Sequence, residues 1–169
     1  MTKVLILSDS HGLTDELNAI KERHQVKSMI HCGDSELDMD AAELEGYYKV
    51  AGNCDFDVRY PDEQTLEIGG LIFYVTHGHL HNVKMDLMGL SYRAKELNAN
   101  VICFGHTHIA GAEQVSSQLF INPGSIRQPR NRTEKTYAIM EWESPSSIIV
   151  NYFNVNGERV HELTYEFAL

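Results

Sequence analysis

Hydrophobic residues occur in short runs along this chain, and five of the runs stop at a polar residue or at a glycine next to one. The runs are VLIL from residue 4, SMIH from residue 28, YYKVA from residue 47, LIFYVT from residue 71 and VICF from residue 101. Runs of this length that are rich in β-branched and aromatic residues are typical of buried strands. We therefore predict strands near 3–8, 28–31, 47–51, 71–77 and 100–105.

Helical spacing and turn residues predict what lies between these strands. We expect helices near 14–24, 38–45 and 86–98, and the last of these carries an apolar stripe at helical spacing. The stripe consists of Leu87, Leu90, Ala94 and Leu97. The pair Gly69-Gly70 separates EQTLEI from LIFYVTH and predicts a β-hairpin there.

The last third of the chain is rich in strand signals. We predict strands near 112–116 and 118–122, and three more in KTYAIMEWE, SSIIVNYFNV and RVHELTYEF. The hydrophobic pattern alone predicts a mixed α and β protein. Because βα units are followed by a series of strands, we interpret the fold as a four-layer α/β/β/α sandwich, with two mixed sheets flanked by helices. A chain of 169 residues can bury a full core, so we expect one domain over 1–169.

Composition narrows the function classes. The net charge of −10 disfavours a long nucleic acid as partner, and no apolar run is long enough to span a membrane. Cys32, Cys54 and Cys103 are scattered and odd in number, which indicates free thiols and a cytoplasmic location. The chain has nine histidines, and neutral imidazole is the commonest metal ligand in proteins.

The polar residues that end the five runs are the candidate site. They are Asp9, His11, Asp34, Asn53, His77, His79, His106 and His108. Loops at the carboxyl ends of strands in an α/β sheet form a shared crevice where ligands bind. If the chain stays extended after the first strand, Asp9 and His11 point to the same side and Ser10 points elsewhere. Each motif alone is a common turn, but all five together predict a metal site.

The motifs follow one another as D-x-H, G-D, G-N, a histidine with a neighbouring G-H, and G-H-x-H. In this order they resemble the calcineurin-like metallophosphoesterases, over residues 4 to about 130. The small size and the sequences GNCD and NPGS are most similar to the compact prokaryotic phosphodiesterase branch of that superfamily. The same branch resembles the small subunit of the eukaryotic retromer coat.

The resemblance implies a centre of two metal ions that share Asp34. One ion would be held by Asp9, His11, Asp34 and His108, and the other by Asp34, Asn53, His77 and His106. Imidazole, carboxylate and amide ligands suit divalent transition metals; we favour Mn and regard Zn, Fe and Ni as compatible. A hydroxide bridging the two ions would attack phosphorus in line, so Asp34 and Asn53 are also counted as catalytic.

One position departs from the pattern of the broader superfamily. Many members have G-N-H-[DE], whereas this chain has Cys54 and then Asp55 after Gly52-Asn53. Asp55 is counted with the catalytic residues. Cys54 is a candidate substrate contact whose thiol either donates a proton or serves in packing or gating. The proton for the leaving group could instead come from His79 or from water, or a good leaving group could need none.

Three further residues lie near the motifs, and the two arginines among them have alternative interpretations. By resemblance, Arg127 or Arg130 in NPGSIRQPR would contact the phosphate, and the alternative is a surface ion pair. We expect His81, in contrast to His79, to be a solvent-exposed loop residue.

Three functions are compatible with these residues. The first is a metal-dependent phosphodiesterase acting on a small diester such as a nucleotide-like or cyclic compound. The second is a phosphomonoesterase on the same centre, and the third is a non-catalytic scaffold resembling the retromer subunit. A homodimer or higher homo-oligomer is compatible with all three.

Overall fold

Two β-sheets form the centre of the molecule, in a computed structural model that describes residues 1–169. One sheet has six strands in the order β11-β10-β9-β1-β2-β3, and the other has five in the order β4-β5-β6-β8-β7. The strands are β1 (Thr2–Leu7), β2 (Ser28–His31), β3 (Tyr47–Lys49), β4 (Glu63–Ile68), β5 (Leu71–Thr76), β6 (Val101–Cys103), β7 (Gly111–Val115), β8 (Gln118–Asn122), β9 (Thr136–Ser144), β10 (Ser147–Asn154) and β11 (Arg159–Phe167). Every strand predicted from the sequence is present.

Two α-helices cover the sheets, α1 (Asp15–His24) and α2 (Met88–Glu96). The prediction of a helix near 38–45 is wrong, because this stretch contains only a single 3-10 turn at Ala42–Leu44. The main-chain N–H of Met39 donates to the Asp57 carboxylate at 2.8 Å, and that of Ala41 donates back to the Asp38 carbonyl at 2.9 Å. These bonds give the main chain an alternative to a helix. No helix is long and apolar enough to cross a membrane.

Side chains of β1 alternate between two cores, as the period of a strand requires. Val4 and Ile6 belong to the core between the two sheets. Leu5 and Leu7 belong to a second core on the outer face, where Leu17 of α1 also lies. The alternation therefore packs the six-stranded sheet against the other sheet on one face and against α1 on the other.

The five-stranded sheet repeats this arrangement. Val101 and Cys103 of β6 face the core between the sheets. Ile102 packs on the opposite side with Leu90 and Ala94 of α2. The predicted α/β/β/α sandwich is therefore confirmed, with one α-helix on each outer face.

Parallel pairing determines where the loops meet. In one sheet β1 pairs parallel with β2, and β2 with β3. In the other sheet β5 pairs parallel with β6, and β6 with β8. The carboxyl ends of the parallel strands in each sheet therefore lie at one edge, and the polar loops leave from these edges.

Candidate metal centre

The loops after β1 and β2 are joined by main-chain hydrogen bonds. The N–H of Asp9 donates to the Gly33 carbonyl at 3.0 Å, and the N–H of His11 donates to the Asp34 carbonyl at 3.0 Å. Because these bonds continue the pairing of the two strands, Asp9, His11 and Asp34 are held at fixed distances from one another.

Left-handed backbone is concentrated in these loops. Of eleven residues other than glycine with φ between 42° and 68°, six lie in the loops that carry the motifs, namely Asp9, His11, Asp34, Glu36, His106 and His108. L-residues rarely adopt this conformation, and such residues cluster at functional sites. The chain is therefore not extended after β1, and the sequence argument from strand alternation was wrong in its geometry although Asp9 Oδ1 and His11 Nε2 do lie 3.7 Å apart.

One oxygen of Asp9 is surrounded by imidazoles. Its Oδ1 lies 3.1 Å from Nε2 of His108 and 3.7 Å from Nε2 of both His11 and His77. The other oxygen accepts a hydrogen bond from Ser8 Oγ at 2.7 Å. Burial acts to raise the pKa of Asp9, but the neighbouring histidines and Ser8 outweigh burial and lower it. Asp9 is therefore a carboxylate in the centre of the cluster.

Asp34 lies between two of the same histidines. Its Oδ2 is 3.2 Å from Nε2 of His77 and 3.9 Å from Nε2 of His11, and its Oδ1 accepts the main-chain N–H of Cys54 at 2.8 Å. Burial opposes ionisation, yet hydrogen bonding and charge from His77 hold the pKa of Asp34 well below its usual range. Asp34 therefore lies beside imidazoles from both predicted ligand groups.

Hydrogen bonds at Nδ1 fix the tautomers of two imidazoles. His77 Nδ1 donates to the Cys32 carbonyl at 2.7 Å, and His108 Nδ1 donates to the Gln128 carbonyl at 2.7 Å. In the neutral rings the Nε2 lone pairs therefore point at the carboxylates. His77 Nε2 and Asp9 Oδ1 are both buried and lack a hydrogen-bond partner.

A positive charge is required between these lone pairs. Burial acts to lower the pKa of His77, but the carboxylates of Asp34 and Asp9 outweigh burial and raise it. A proton can therefore supply the charge, and so can a metal cation. Imidazole nitrogens and carboxylate oxygens are ligands of divalent transition metals, so the donor set fits the predicted group.

The two histidines of G-H-x-H point in different directions. The His106 ring lies against His77, with ring centroids 5.1 Å apart, while the His108 ring lies 5.2 Å from that of His11. This arrangement is consistent with the resemblance, which assigns the two histidines to different ions. Burial and the proximity of His77 lower the pKa of His106 to about 4.

His79 completes the His77 and His106 side of the cluster. Its ring centroid lies 5.4 Å from that of His77 and 6.1 Å from that of His106. Its Nδ1 is buried without a hydrogen-bond partner. Burial first, and then the proximity of His77, lower the pKa of His79. The ring is therefore neutral at pH 7 and faces the space beside the second group of ligands.

Asn53 is the predicted ligand that the structure does not bring to the others. Its side chain is exposed, and its amide nitrogen contacts only Sγ of Cys54, at 3.5 Å. No hydrogen bond joins its amide to His77 or His106. The centre described by contacts thus consists of Asp9, His11, Asp34, His77 and His108, with the His106 ring adjacent.

Glycines are required where these loops approach one another. A Cβ on Gly52 would collide with the Asp34 side chain and its main-chain nitrogen, and a Cβ on Gly105 would collide with Ser8 and Asp9. Neither glycine has a positive φ, so the requirement is for space. The glycines that precede polar residues in the motifs therefore permit the carboxylates to reach the centre.

A family model described as the calcineurin-like phosphoesterase superfamily domain matches residues 2–145. The chain belongs to this superfamily. It is 50% identical over 168 residues to a probable metallophosphoesterase, YsnB, of Bacillus subtilis, covering 98% of this chain and 99% of the relative.

Solved structures share the fold of this chain. A predicted phosphoesterase from Streptococcus pneumoniae superposes with a TM-score of 0.95 at 34% identity, covering 99% of this chain and 98% of the other. Vps29 from Entamoeba histolytica in complex with Zn²⁺ superposes with a TM-score of 0.76 at 16% identity, covering 98% and 97%. The second likeness concerns the fold alone.

Asp55 lies behind the ligand residues and holds their loops. Its carboxylate accepts main-chain N–H bonds from Asp34 at 2.8 Å, Gly52 at 2.7 Å and Glu36 at 2.8 Å. It thereby ties the loop after β2 to the loop after β3. In this structure Asp55 is a positioning residue behind the ligands, and a catalytic role for it stays a prediction.

Cys54 contributes its main chain to the centre. The bond from its N–H to Asp34 is independent of the side chain. Its Sγ, the His11 ring and the Glu36 carboxylate all have donor atoms within 4.8 Å of one another. Burial, followed by the charges of Asp34 and Glu36, raises the pKa of the Cys54 thiol to about 11. The thiol is therefore protonated at neutral pH.

The loop after β8 supports the first loop from the other side. Ser125 Oγ donates to the Asp9 carbonyl at 2.8 Å, and the guanidinium of Arg127 donates to the His11 carbonyl. The main-chain N–H of Arg130 donates to the His108 carbonyl at 3.0 Å. The side chains of both arginines are otherwise exposed at the edge of the centre.

His81 is not the solvent-exposed residue that we expected. It is half-buried, its Nε2 lies 3.5 Å from the Tyr74 hydroxyl, and its ring packs edge-on against Tyr74. It makes no contact with the metal-ligand cluster. His81 therefore lies outside the site because it packs against Tyr74, and not because it is exposed to solvent.

Sequence reasoning missed one residue that contacts a ligand and one that supports the ligand loops. Glu36 Oε1 lies 2.6 Å from Nδ1 of His11. His31 is buried, with Nε2 bonded to Ser10 Oγ at 2.8 Å and Nδ1 accepting the N–H of Gly33 at 3.1 Å. The only signals in the sequence were an acidic residue shortly after G-D and a histidine ending a buried strand.

Proposed function

We propose that this chain is a metal-dependent phosphodiesterase that uses two divalent metal ions. The observation that carries the proposal is the convergence of buried carboxylate and imidazole donor atoms. Asp9 Oδ1 and His77 Nε2 have no hydrogen-bond partner although they lie 3.7 Å apart. A buried pair of lone pairs is costly unless a cation lies between them.

The two ions would divide the ligands as the superfamily pattern implies. Asp9, His11, Asp34 and His108 would hold the first, and Asp34, Asn53, His77 and His106 the second, with Asn53 turning inward from its exposed position. When bound, such ions acidify water and offset charge on the phosphate oxygens. The ligand chemistry favours Mn, and Zn, Fe and Ni are compatible.

The residues of the chain supply orientation and a proton. Asp55 and the carbonyls of Cys32 and Gln128 hold the ligand loops and rings in place. His79 is the candidate proton donor to the leaving group, because its buried Nδ1 has no other partner and its ring borders the ligands. Since its lowered pKa keeps the ring mostly neutral at pH 7, it would donate from the minor imidazolium fraction. Cys54 is a weaker candidate, because its thiol pKa of about 11 disfavours transfer at neutral pH.

We favour a diester over a monoester substrate. A phosphomonoester carries a second negative charge that usually needs a dedicated arginine or lysine. Arg127 is the cationic side chain bonded to the ligand loops, and it is engaged by the main-chain carbonyl of His11. A diester carries a single negative charge, so it requires less charge compensation from Arg127. The scaffold alternative is weakened because no metal-ligand residue is missing from the sequence.

The free cysteines are consistent with the cytoplasmic location that we propose. We also propose that the substrate is small, because the net charge of −10 disfavours electrostatic binding of a long nucleic acid.

The test compares two chromogenic substrates after the metal content is measured. We expect bis(4-nitrophenyl) phosphate to be hydrolysed faster than 4-nitrophenyl phosphate in the presence of Mn²⁺. A preference for the monoester would favour the second candidate. If protein shown to contain two ions hydrolysed neither compound with any divalent metal, the enzyme proposal would be wrong.

A further inference from the structure

Glu36 is the one carboxylate outside the predicted ligand set that touches a ligand imidazole, with Oε1 2.6 Å from Nδ1 of His11. We propose that Glu36 is a positioning residue that selectively strengthens the metal position formed by Asp9, His11 and His108. The inference rests on the proposed metal centre, but it concerns metal affinity and not the reaction.

The three predicted ligand imidazoles with a bonded Nδ1 differ in their acceptors. His77 and His108 donate to main-chain carbonyls, of Cys32 and Gln128 respectively. His11 alone donates to a charged carboxylate. An acceptor on the far nitrogen orients the ring and increases its basicity as a ligand, and a carboxylate does so more strongly than a neutral carbonyl.

The main chain holds Glu36 in a strained conformation that aims it at His11. Its φ is 55°, in the left-handed region, and its N–H donates to Asp55 Oδ1 at 2.8 Å. The other oxygen of Asp55 accepts the N–H of Asp34 at 2.8 Å. One carboxylate thus fixes both a metal ligand and the residue that orients another ligand.

The size of the effect is limited by solvent. The side chain of Glu36 is 38% exposed, whereas that of His11 is 12% exposed. Solvent therefore screens part of the charge of Glu36, and the hydrogen bond contributes orientation in addition to charge. Loss of such partners typically weakens metal binding by about tenfold to a hundredfold.

The effect should be confined to one of the two ions. His11 belongs to the first position only, while His77 and His106 belong to the second and have no contact with Glu36. Removing the Glu36 side chain should therefore lower the affinity for the first ion and leave that for the second unchanged, although both ions share Asp34.

The experiment titrates metal-free protein with Mn²⁺ in competition with a chelating dye. Wild type, Glu36→Gln and Glu36→Ala are compared with the control Glu45→Gln, because Glu45 is exposed and its side chain bonds to nothing. We expect Glu36→Ala to weaken one ion by about tenfold to a hundredfold and to leave the other unchanged. Glu36→Gln should be intermediate, because its amide oxygen still accepts from Nδ1 but carries no charge.

Two outcomes would overturn the inference. In the first, both variants bind both ions as tightly as wild type. In the second, both ions weaken equally and the metal-free protein loses thermal stability, which is the result expected if Glu36 merely supported the loop. The wild-type titration reports on the metal centre itself, so failure of the proposed function is seen separately.

Discussion

His77 Nε2 lies 3.2 Å from Oδ2 of Asp34, although the neutral tautomer fixed by the Cys32 carbonyl leaves no hydrogen between them. Two acceptors in this arrangement repel each other unless a proton or a metal ion lies nearby. The fold thus brings acceptors together from the ends of β2 and β5, in different sheets, and their mutual repulsion is relieved by a cation. This relationship makes Asp34 the most informative residue to change.

Replacing Asp34 with Asn should disable the centre. Asp34→Asn removes the shared negative charge but keeps the size of the side chain, so both ions should bind more weakly. We expect hydrolysis to fall by about a thousandfold or more, because several kcal/mol of charge stabilisation depend on the ions. Elemental analysis and diester turnover provide the measurement. Asp38→Asn is the control, since Asp38 is exposed and outside the cluster.

Replacing Gly52 with Ala should displace Asp34 through steric overlap. The Cβ of Gly52→Ala would overlap the Asp34 side chain, so a loop must move, at a cost of about 1 to 3 kcal/mol in the free energy of unfolding. Metal affinity should fall with it. At Gly111 the nearest atom to a new Cβ is 4.0 Å away, so Gly111→Ala should be tolerated. Equal stability and metal affinity of the two variants would contradict the close approach.

The ligand residues could be predicted from the sequence because each follows a buried strand directly. Hydrophobic runs locate the strands, and parallel pairing brings the carboxyl ends of the runs together without further information. Asp34 and His77 were therefore found from local pattern alone.

Residues whose role depends on distant partners could not be found in this way. Glu36 contacts His11 only because the main chain turns left-handed and Asp55, far along the chain, captures its N–H. The absent helix near 38–45 has the same origin, since Asp57 takes the N–H of Met39. Such bonds depend on the tertiary fold and leave no local periodicity.

His79 and His81 lie in one turn, at His79–His81, and should respond differently to substitution. His79→Ala should slow diesters with poor leaving groups by about a hundredfold or more, while a nitrophenolate, which leaves without protonation, should be affected little. His81→Ala should change neither rate substantially. The measurement is kcat across a series of aryl diesters that differ in leaving-group pKa. If kcat of wild type and of His79→Ala depended on leaving-group pKa in the same way, His79 would not be the proton donor.

The stability of the metal-free protein should depend on His31 at mildly acidic pH. Burial lowers the pKa of His31 to about 4, although the carboxylates of Asp55 and Asp9 act in the opposite direction. In the unfolded chain the pKa is about 6.5, so the unfolded state binds more protons between these values. His31 therefore contributes stability above about pH 6.5, and this contribution decreases as the pH falls towards 4. The loss should be on the order of 3 kcal/mol.

Urea unfolding at several pH values between 7.5 and 4 measures this dependence. His31→Gln cannot titrate, so its free energy of unfolding should fall less steeply with decreasing pH than that of wild type. The variant should also be less stable at pH 7.5, because the bonds to Ser10 Oγ and from the Gly33 N–H are disturbed. The difference between the two slopes isolates His31 from other titrating groups, since those are common to both proteins. Parallel curves over this range would show that His31 is not held neutral in the folded protein.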